Sequence, residues 1–530
     1  MIDVIILAVG SIKDKLHFTN FIFDSPALIP INVRSSVSYI LDFYQMQNVK
    51  IHLVINQNDK NIISQEVQYY KNINIVCIQK SKSVIDTLAQ AIELLKLNNE
   101  VIINLATTIP TKFPETHSVF VDNCSKLNLD WSAIKLGKDV AFVYKNSFNK
   151  EISNAFTGVF RCELSLLSQS INSIKNEFDL LSLVETIHMQ KSFNFIQSSW
   201  IDCGHEQNFY DAKAKLISSR SFNAIEITSI TGVIKKSSKN IEKFKDEIKY
   251  IEQLPRDIAL FFPSIYSDIK IDNNNAYVEM EYYGYNTLAE YMLYWDIKDF
   301  TWNKIFLSIE VVLTKFKQYK YSIGKNAYGK FMYEKAMHRV EEFKIQIGTN
   351  NELFSDKVKI NGKIYKNINL IKNQIEEKIQ NMYNENDFCI MHGDLCFNNM
   401  LYDIKSNIIR LIDARGSFGE SCVGIYGDIK YDLAKLTHSI IGSYDFIVNN
   451  LFSITYTVDS FEYNIVKREN YEFLYDLNIN LIKELGYNEK NILFLVGVLF
   501  ISMCALHSDD IMRQKVMYLH GLKYINENLE

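Results

Sequence analysis

The chain has 530 residues. At about 150 residues per domain this predicts roughly 3.5 units, which fits two substantial domains, one of them bilobal, and excludes a single small module. A content of 47% apolar and 22% charged residues, with six prolines, supplies material for large cores and excludes a disordered protein. The 57 Lys and Arg residues against 62 Asp and Glu give a net charge of −5, so we expect no nucleic-acid partner.

The longest apolar run covers residues 492–506. It is shorter than the ~20 residues that a membrane span needs, so we predict a buried core helix and no membrane span. The first residues, MIDVIILAVGSIKDK, have no basic leader before the apolar stretch and no small-residue cleavage site, so we expect no signal peptide. No CxxC spacing occurs among the eight cysteines, which favours reduced thiols over zinc sites or disulfides. We therefore expect a cytoplasmic protein.

Short apolar runs alternate with helical segments over residues 1–218. This rhythm predicts an α/β domain with a mostly parallel, doubly wound, Rossmann-like sheet. The segments are VIILAV (4–9), VSYILDFYQ (37–45), KIHLVIN (50–56), INIVCI (73–78), VIDTLAQAIELLK (84–96) and EVIINLA (100–106).

The pattern changes near residue 219, where we place the boundary to a second, bilobal domain (219–530). Alternating apolar and polar residues come first, and the amphipathic NIEKFKDEIKYIEQL (240–254) then ends before Pro255. NAYVEMEYYG (275–284) follows as another strand, so residues 219–285 predict a smaller lobe of antiparallel sheet and one helix. Helical patterns dominate the larger lobe, 286–530.

A dense polar cluster lies in FCIMHGDLCFNNMLYD (388–403) and in the following IIRLIDARG (408–416). Each segment reads as strand, polar turn and strand. Phosphoryl transfer from ATP needs an aspartate beside the acceptor hydroxyl and further oxygen ligands that hold Mg²⁺ against the phosphates. We predict that Asp394 accepts the hydroxyl proton and that Asn399 and Asp413 are the metal ligands. The alternative is a polar β-hairpin whose Asp and Asn residues cap turns.

HGDLCFNNML and LIDARG, with YGDIKYDLAKL at 426–436, resemble the aminoglycoside phosphotransferase and choline kinase-like family, over roughly residues 220–530. The resemblance implies a protein-kinase-like fold and the cofactors ATP and Mg²⁺. It also implies that Lys236 holds the α and β phosphates and pairs with Glu247. Lys235 competes for this role, since period-2 alternation lets only one of the two lysines face the nucleotide. Both could instead be solvated lysines on an edge strand.

The same resemblance covers further positions. It implies that the backbone of Glu281, Tyr282 and Tyr283 binds the adenine edge and that Asp432 braces the catalytic loop. His392 is interpreted as a residue that organises the loop rather than as a base. The acceptor pocket is expected within residues 286–385.

The N-terminal part resembles sugar-1-phosphate nucleotidyltransferases, on IILAVGSIKDKL, SPALIPINVRSSVSYIL and WIDCGHEQNFYDAK (200–213). The resemblance implies that the loop at Gly10 cradles a triphosphate and that Asp202 is a metal ligand. The sequence departs from the family in several places: the loop at Gly10 lacks the second glycine and the usual arginine, Ala27 replaces a lysine, and Thr107 replaces a metal-binding aspartate.

Nucleotidyl transfer without that carboxylate loses much of its charge neutralisation, so the activity is not implied. Lys13, Lys15 and Arg34 are the cations that could compensate, or they belong to a solvated charged loop.

Three functions follow as hypotheses. The leading one is an ATP- and Mg²⁺-dependent kinase for a hydroxyl of a sugar, polyol, amino alcohol or nucleotide-linked precursor. The pairing of resemblances is typical of bacterial capsule and surface-glycan biosynthesis, with a nucleotide or nucleotide-sugar at the N-terminal domain. A bifunctional kinase and nucleotidyltransferase is the second hypothesis. The third is a pseudoenzyme or scaffold that binds a glycan precursor.

Overall fold

The computed structural model divides into two compact units, Met1–Leu216 and Ile217–Glu530. The predicted boundary at 218/219, Lys15 and two of the cysteines, Cys124 and Cys422, fall outside the described residues. The structure describes residues 2–530 except 14–15, 17–19, 124–130, 145–153, 175–178, 217–222, 229–231, 273, 350, 417–423 and 458–459.

The N-terminal unit contains strands and helices that alternate along its first half. Its strands are β1 (Ile2–Ala8), β2 (Pro30–Ile31), β3 (Arg34–Ser35), β4 (Val49–Asn56), β5 (Ile73–Ile78), β6 (Glu100–Leu105), β7 (Thr108–Ile109), β8 (Ser118–Asn123), β9 (Ala133–Lys135), β10 (Ala141–Val143), β11 (Asn154–Glu163), β12 (Asn194–Gln197) and β13 (Ile201–Asp202). Its helices are α1 (Ser36–Gln45), α2 (Lys60–Glu66), α3 (Val84–Leu94), α4 (Leu164–Ser173), α5 (Leu180–Gln190) and α6 (Glu206–Lys215).

The main sheet of this unit is mixed, so the prediction of a mostly parallel sheet is only half right. Strands β5, β4, β1 and β6 are parallel neighbours. The long strand β11 instead runs antiparallel to β6, β8 and β9. In the described residues no helix lies between β8 and β11, and strands joined without a crossover helix pair antiparallel.

Helices cover both faces of the parallel part. Ile5 and Leu7 of β1 belong to a buried cluster that includes residues of α3, α4 and α5. On the opposite face, Tyr44 of α1 donates its hydroxyl to Asn104 of β6 at 2.9 Å. Because successive strand residues point to opposite faces, β1 and β6 are buried on both sides, which explains their nearly continuous apolar sequences.

The C-terminal unit begins with a small sheet and continues into a larger, mainly helical part. Its strands are β14 (Asn223–Thr228), β15 (Val233–Ser238), β16 (Lys270–Asp272), β17 (Asn275–Glu281), β18 (Asn286–Thr287), β19 (Lys357–Ile360), β20 (Lys363–Lys366), β21 (Phe388–Ile390), β22 (Met400–Asp403), β23 (Ile408–Leu411), β24 (Tyr426–Asp428), β25 (Phe452–Tyr456) and β26 (Ser460–Ile465). Its helices are α7 (Ile241–Glu252), α8 (Arg256–Ala259), α9 (Leu288–Tyr294), α10 (Asp299–Gln318), α11 (Lys325–Gly329), α12 (Lys335–Ile347), α13 (Ile368–Asn381), α14 (Ile429–Ile440), α15 (Tyr444–Val448), α16 (Tyr471–Glu484), α17 (Glu489–Met503) and α18 (Ile511–Asn528).

The predicted antiparallel sheet and helix are present at the start of this unit. The strand order is β14, β15, β17 and β16, and the pairs are antiparallel. Helix α7 begins after Asn240, whose side chain accepts from the N–H of Lys243 at 3.2 Å. Its apolar face buries Phe244 and Ile248 against Val278 of β17.

A further antiparallel hairpin lies in the larger lobe, within a part where the sequence predicts helices. Strands β19 and β20 form it, and they belong to a four-stranded sheet with β25 and β26. Its turn is Asn361-Gly362, with φ angles of 47° and 82°. An Asn-Gly pair between alternating strands is the sequence signal for such a turn, so this hairpin was detectable and was missed.

The apolar run at 492–506 forms α17 and the turn that follows it. The stretch Glu489–His507, with a mean hydropathy of 1.8, is long and apolar enough to cross a membrane, yet it is 78% buried inside the unit. Helix α18 packs closely against it, since a Cβ added at Gly497 would lie 2.8 Å from the carbonyl oxygen of Gly521. This segment is a core helix, as predicted. The six cysteines in the described part of the chain are free thiols.

Candidate active site

A buried lysine connects the small sheet to the larger part of the C-terminal unit. Lys236 on β15 is 4% exposed, and its Nζ donates to the carboxylates of Glu247 on α7 and Asp413 after β23. Burial acts to lower the pKa of this lysine, but the charges of Asp413 and Glu247 outweigh it and raise the pKa above its usual range. Burial also raises the pKa of Glu247, against the charge of Lys236.

The neighbouring lysine points the other way. The Nζ of Lys235 lies 3.8 Å from Glu226 and 4.4 Å from the ring centre of Tyr277, on the exposed side of the sheet. Alternation along β15 therefore separates the two lysines, and Lys236 is the one that faces Glu247 and Asp413.

The loop that follows β21 is held by a buried aspartate. Asp432 on α14 accepts the backbone N–H groups of His392 at 2.7 Å and Gly393 at 2.8 Å. Burial raises the pKa of Asp432 to about 7, although these two N–H groups oppose the shift. The His392 ring lies 3.1 Å from the carbonyl oxygen of Ile412, and burial lowers its pKa to about 4. The Nδ1 of His392 also accepts the N–H of Asp394 at 3.2 Å, so a neutral His392 contacts the loop at two points.

Asp394 lies at the surface of this loop between an amide and a cation. Asn399 donates its Nδ2 to the carbonyl oxygen of Asp394 at 2.8 Å and to the carboxylate at 3.2 Å. The Nζ of Lys435 on α14 lies 2.9 Å from the same carboxylate. Lys435 was not among the predicted site residues. Its only sequence signal is its spacing, three residues after Asp432 on the same helix.

The hairpin of β22 and β23 brings Asp413 next to Asn399. The N–H of Ile412 donates to the carbonyl oxygen of Asn399 at 3.1 Å. Asp413 has a φ of 57°, and its side chain is 49% exposed. β22 pairs with β23, and β21 pairs with β24.

The oxygens of Asn399 and Asp413 have the chemistry that Mg²⁺ prefers. This cation is commonly held by one or two carboxylates together with substrate phosphates and water. Within the described ranges no group of three or more His, Cys, Asp or Glu side chains is arranged for a metal. The donor set therefore fits a cation shared with a phosphate ligand rather than a protein-only metal site.

The segment predicted to bind adenine follows β17. The N–H of Glu281 donates to Ser264 at 2.9 Å and that of Tyr282 to Gly232 at 2.8 Å. The Tyr283 hydroxyl donates to the Glu281 carboxylate at 3.0 Å. Two of the three N–H groups are thus engaged within the protein, which leaves carbonyl groups and the N–H of Tyr283 as the groups for a base edge.

The loop at Gly10 in the N-terminal unit is closed by its own carboxylate. One oxygen of Asp24 accepts the hydroxyl of Ser11 at 2.8 Å and the N–H groups of Ile12 and Lys13, each at 2.9 Å. Gly10 has a φ of 129°. The donors that would cradle a phosphate already bind an anionic side chain.

Asp202 is also occupied by donors of its own unit. It accepts from the N–H of Gly204 at 3.0 Å and from Asn208 at 2.8 Å, and it pairs with His205 at 2.7 Å. Thr107 lies against Gly204, so it does stand beside Asp202.

Arg34 is one of the cations that could compensate for the lost charge neutralisation in the N-terminal unit. It pairs with Asp42 at 2.6 Å and contacts Tyr70 at 3.0 Å. Burial acts to lower the pKa of Arg34, but Tyr70 and Asp42 raise it. The charge of Arg34 is therefore used in the contacts with these two residues.

Solved structures of nucleotidyltransferases are similar to the N-terminal part of the chain. The first is a protein from Bacillus anthracis described as a glucose-1-phosphate thymidylyltransferase, with 13% identity, a TM-score of 0.34 and coverage of 42% of this chain and 97% of that one. The inositol-1-phosphate CTP transferase from T. maritima has 13% identity, a TM-score of 0.33 and coverage of 41% and 96%. HddC from Yersinia pseudotuberculosis has 14% identity, a TM-score of 0.33 and coverage of 41% and 99%.

These similarities concern about 40% of the chain, and at such identities and TM-scores they assign no activity. No family model and no curated protein matches the chain.

A buried carboxyl near Asp394 predicts a pH-dependent stability. Asp445 on α15 is fully buried, and burial raises its pKa to about 7 from an ordinary value of 3.8, with Ser439 opposing the shift. The folded state therefore retains a proton that the unfolded chain has lost, and the wild type loses stability as the pH rises from about 4 to about 7. We expect Asp445→Asn to remove this loss.

The measurement is chemical denaturation of both proteins between pH 4 and pH 8. The stability difference in favour of Asp445→Asn is expected to grow up to about pH 7 and then stay level. A difference that is the same at all pH values would contradict a titrating Asp445.

Proposed function

We propose that residues 219–530 form an ATP- and Mg²⁺-dependent phosphotransferase that phosphorylates a hydroxyl of a small molecule. The observation that carries the proposal is the pairing of Lys236 with both Glu247 and Asp413, beside a loop that presents Asp394 and Asn399. Asp394 and Asn399 of the HxDxxxxN motif lie close to the later aspartate, Asp413. Residues that only cap separate turns would not need to lie close together.

Each side chain has a distinct task in this proposal. Lys236 binds the phosphates, and Glu247 fixes its rotamer. Asp394 accepts the proton of the acceptor hydroxyl. Mg²⁺, when bound through Asn399 and Asp413, neutralises charge on the phosphates. Lys435 is a positioning residue that orients the Asp394 carboxylate through its 2.9 Å contact.

For the biological role, we keep the proposal of a bacterial cytoplasmic enzyme of capsule or surface-glycan biosynthesis. Its basis is the pairing of a kinase-like and a nucleotidyltransferase-like sequence in one chain.

The first test separates chemistry from nucleotide binding. Asp394→Asn is expected to slow phosphoryl transfer at least ~100-fold, the low end of what a general base contributes, while MgATP still raises the melting temperature. Asp413→Ala is expected to abolish that thermal stabilisation, because it removes a metal-ligand oxygen. Near-normal turnover by Asp394→Asn, measured as ADP release with an acceptor, would contradict the assignment.

The second test uses the two adjacent lysines as a matched pair. Lys236→Ala is expected to weaken ATP use at least ~10-fold, because charge-assisted hydrogen bonds contribute about 1.5–3 kcal/mol each. Lys235→Ala makes the same change on the exposed face and serves as the control. The double variant Lys236→Ala with Glu247→Ala is expected to cost little more than the worse single one, since the two groups act as a unit. A larger effect of Lys235→Ala would move the site by one residue.

For the N-terminal unit, we propose a nucleotidyltransferase-like domain that catalyses little or no nucleotidyl transfer. Support comes from Thr107 in place of a carboxylate, from Ala27 in place of a lysine and from Asp24 on the donors of the Gly10 loop. A phosphate would have to displace Asp24, and its charge would be repelled by that carboxylate. Binding of a nucleotide-linked acceptor remains compatible with this proposal.

The third test measures pyrophosphate. The full chain, given Mg²⁺, each of the four NTPs and a panel of phosphorylated acceptors, is expected to release no pyrophosphate above the background without protein. Release that Asp202→Ala abolishes would overturn the proposal and support the bifunctional kinase and nucleotidyltransferase.

A further inference from the structure

A concave pocket opens between α12, α14 and α17 of the C-terminal unit. Its empty space is about 380 Å³ including open solvent, and the part that a water-sized sphere can enter is about 20 Å³, room for about one water molecule. Phe331, Tyr431 and Leu499 contribute apolar surface to its wall. A ligand would therefore sit at the mouth, against the aromatic rings and the polar groups that line it.

Helix α14 contributes both to the pocket wall and to the contacts of the loop that carries Asp394. Tyr431 on its wall lies one helical turn before Lys435 on α14, and residues at that spacing share a helix face. Ser502 on the opposite wall precedes Met503, whose sulfur lies 3.6 Å from the Nζ of Lys435. The pocket wall at Tyr431 is thus one helical turn from the cation that contacts Asp394.

The charged groups that line the pocket are cations. Lys335 and Arg339 occupy the same face of α12, and none of the residues that line the pocket in the described part of the chain is acidic. The Nη1 of Arg339 lies 3.4 Å from the carbonyl oxygen of Ser502, and the Nζ of Lys335 lies 5.4 Å from the ring centre of Phe331.

The groups around Arg339 also affect its charge. Burial lowers its pKa, and the nearby charge of Arg415, two residues after Asp413, lowers it further. The charges of Tyr431 and Glu342 oppose this shift, and Glu342 also pairs with His338 at 3.4 Å. An anionic ligand beside Arg339 would offset the repulsion between Arg339 and Arg415.

We propose that the acceptor carries an anionic group, a phosphate or a carboxylate, in addition to its hydroxyl, and that Arg339 and Lys335 bind this group. Only the statement that the bound molecule is the acceptor rests on the proposed kinase function. The anion site itself does not depend on that function. Arg339 presents the planar donor fork that matches a carboxylate or phosphate, and Lys335 adds a second charge. Neutral polyols gain nothing from these cations, and amino alcohols are repelled by them.

Binding is tested first, without turnover. The full chain saturated with MgADP is titrated by calorimetry with glycerol, ethanolamine, glycerate and glycerol phosphate, which share a small hydroxylated skeleton and differ in charge. We expect glycerate, glycerol phosphate or both to bind at least ~10-fold more tightly than glycerol and ethanolamine, and to weaken as salt is added. The preference between the two anions separates a carboxylate from a phosphate ligand.

Variants locate the site. Arg339→Gln is expected to weaken anion binding at least ~10-fold, the equivalent of about 1.4 kcal/mol, and Arg339→Lys to retain part of it. Lys330→Gln removes the same charge from an exposed position outside the pocket and is expected to change nothing. Equal or tighter binding of glycerol or ethanolamine, no binding of either anion, or an equal effect of Lys330→Gln would overturn the inference.

Turnover with MgATP then separates the two proposals. Anion binding that Arg339→Gln abolishes, without transfer to any of the four compounds, would count against the kinase function and leave the anion site in place. Transfer to glycerol or ethanolamine, with no anion binding, would support the kinase function and overturn the anion site.

Discussion

The C-terminal unit depends on how the charge of one buried ammonium group is balanced. A buried charge without a partner costs several kcal/mol, so Lys236 needs carboxylates, and two different segments supply them. Glu247 comes from α7, and Asp413 comes from the loop after β23. Asp413 holds a left-handed backbone conformation, uncommon for a residue other than glycine, and its contact with Lys236 helps to stabilise it. Strand, helix and loop are therefore fixed together.

Helix α14 transmits a second constraint. Asp428 caps its first turn by accepting the N–H of Lys430 at 2.9 Å, and one turn later Asp432 holds two backbone N–H groups of the loop after β21. Lys435, three residues further on, contacts Asp394. A shift of this helix would move the loop, the carboxylate and the wall of the adjacent pocket together. Its side chains are buried throughout, which suits a rigid support for the carboxylate that we propose as the proton acceptor.

What the sequence could predict depended on how local the signal is. Period-2 alternation separates Lys235 from Lys236, and the fixed spacing from Asp394 to Asn399 lies within one loop. Lys435 carries only its spacing from Asp432, and Arg339 carries no such signal, because their helices bring them to Asp394 and to the pocket only through tertiary packing. The antiparallel half of the N-terminal sheet was missed for a related reason, since β11 pairs with strands distant in sequence. The hairpin at Asn361 was missed although its turn signal is local.

The two units use their carboxylates in different ways. The side chains of Asp394 and Asp413 are 23% and 49% exposed, so each has surface on which a ligand can replace or join its present partner. Asp202 is 2% exposed and accepts from three neighbouring groups, and Asp24 closes the backbone of its own loop. A carboxylate whose oxygens are already satisfied must lose hydrogen bonds before it can bind a cation, and that loss opposes binding. These differences in exposure and hydrogen bonding support the proposed phosphoryl chemistry at Asp394 and Asp413, and the proposal that the N-terminal unit, with Asp24 and Asp202, catalyses little nucleotidyl transfer.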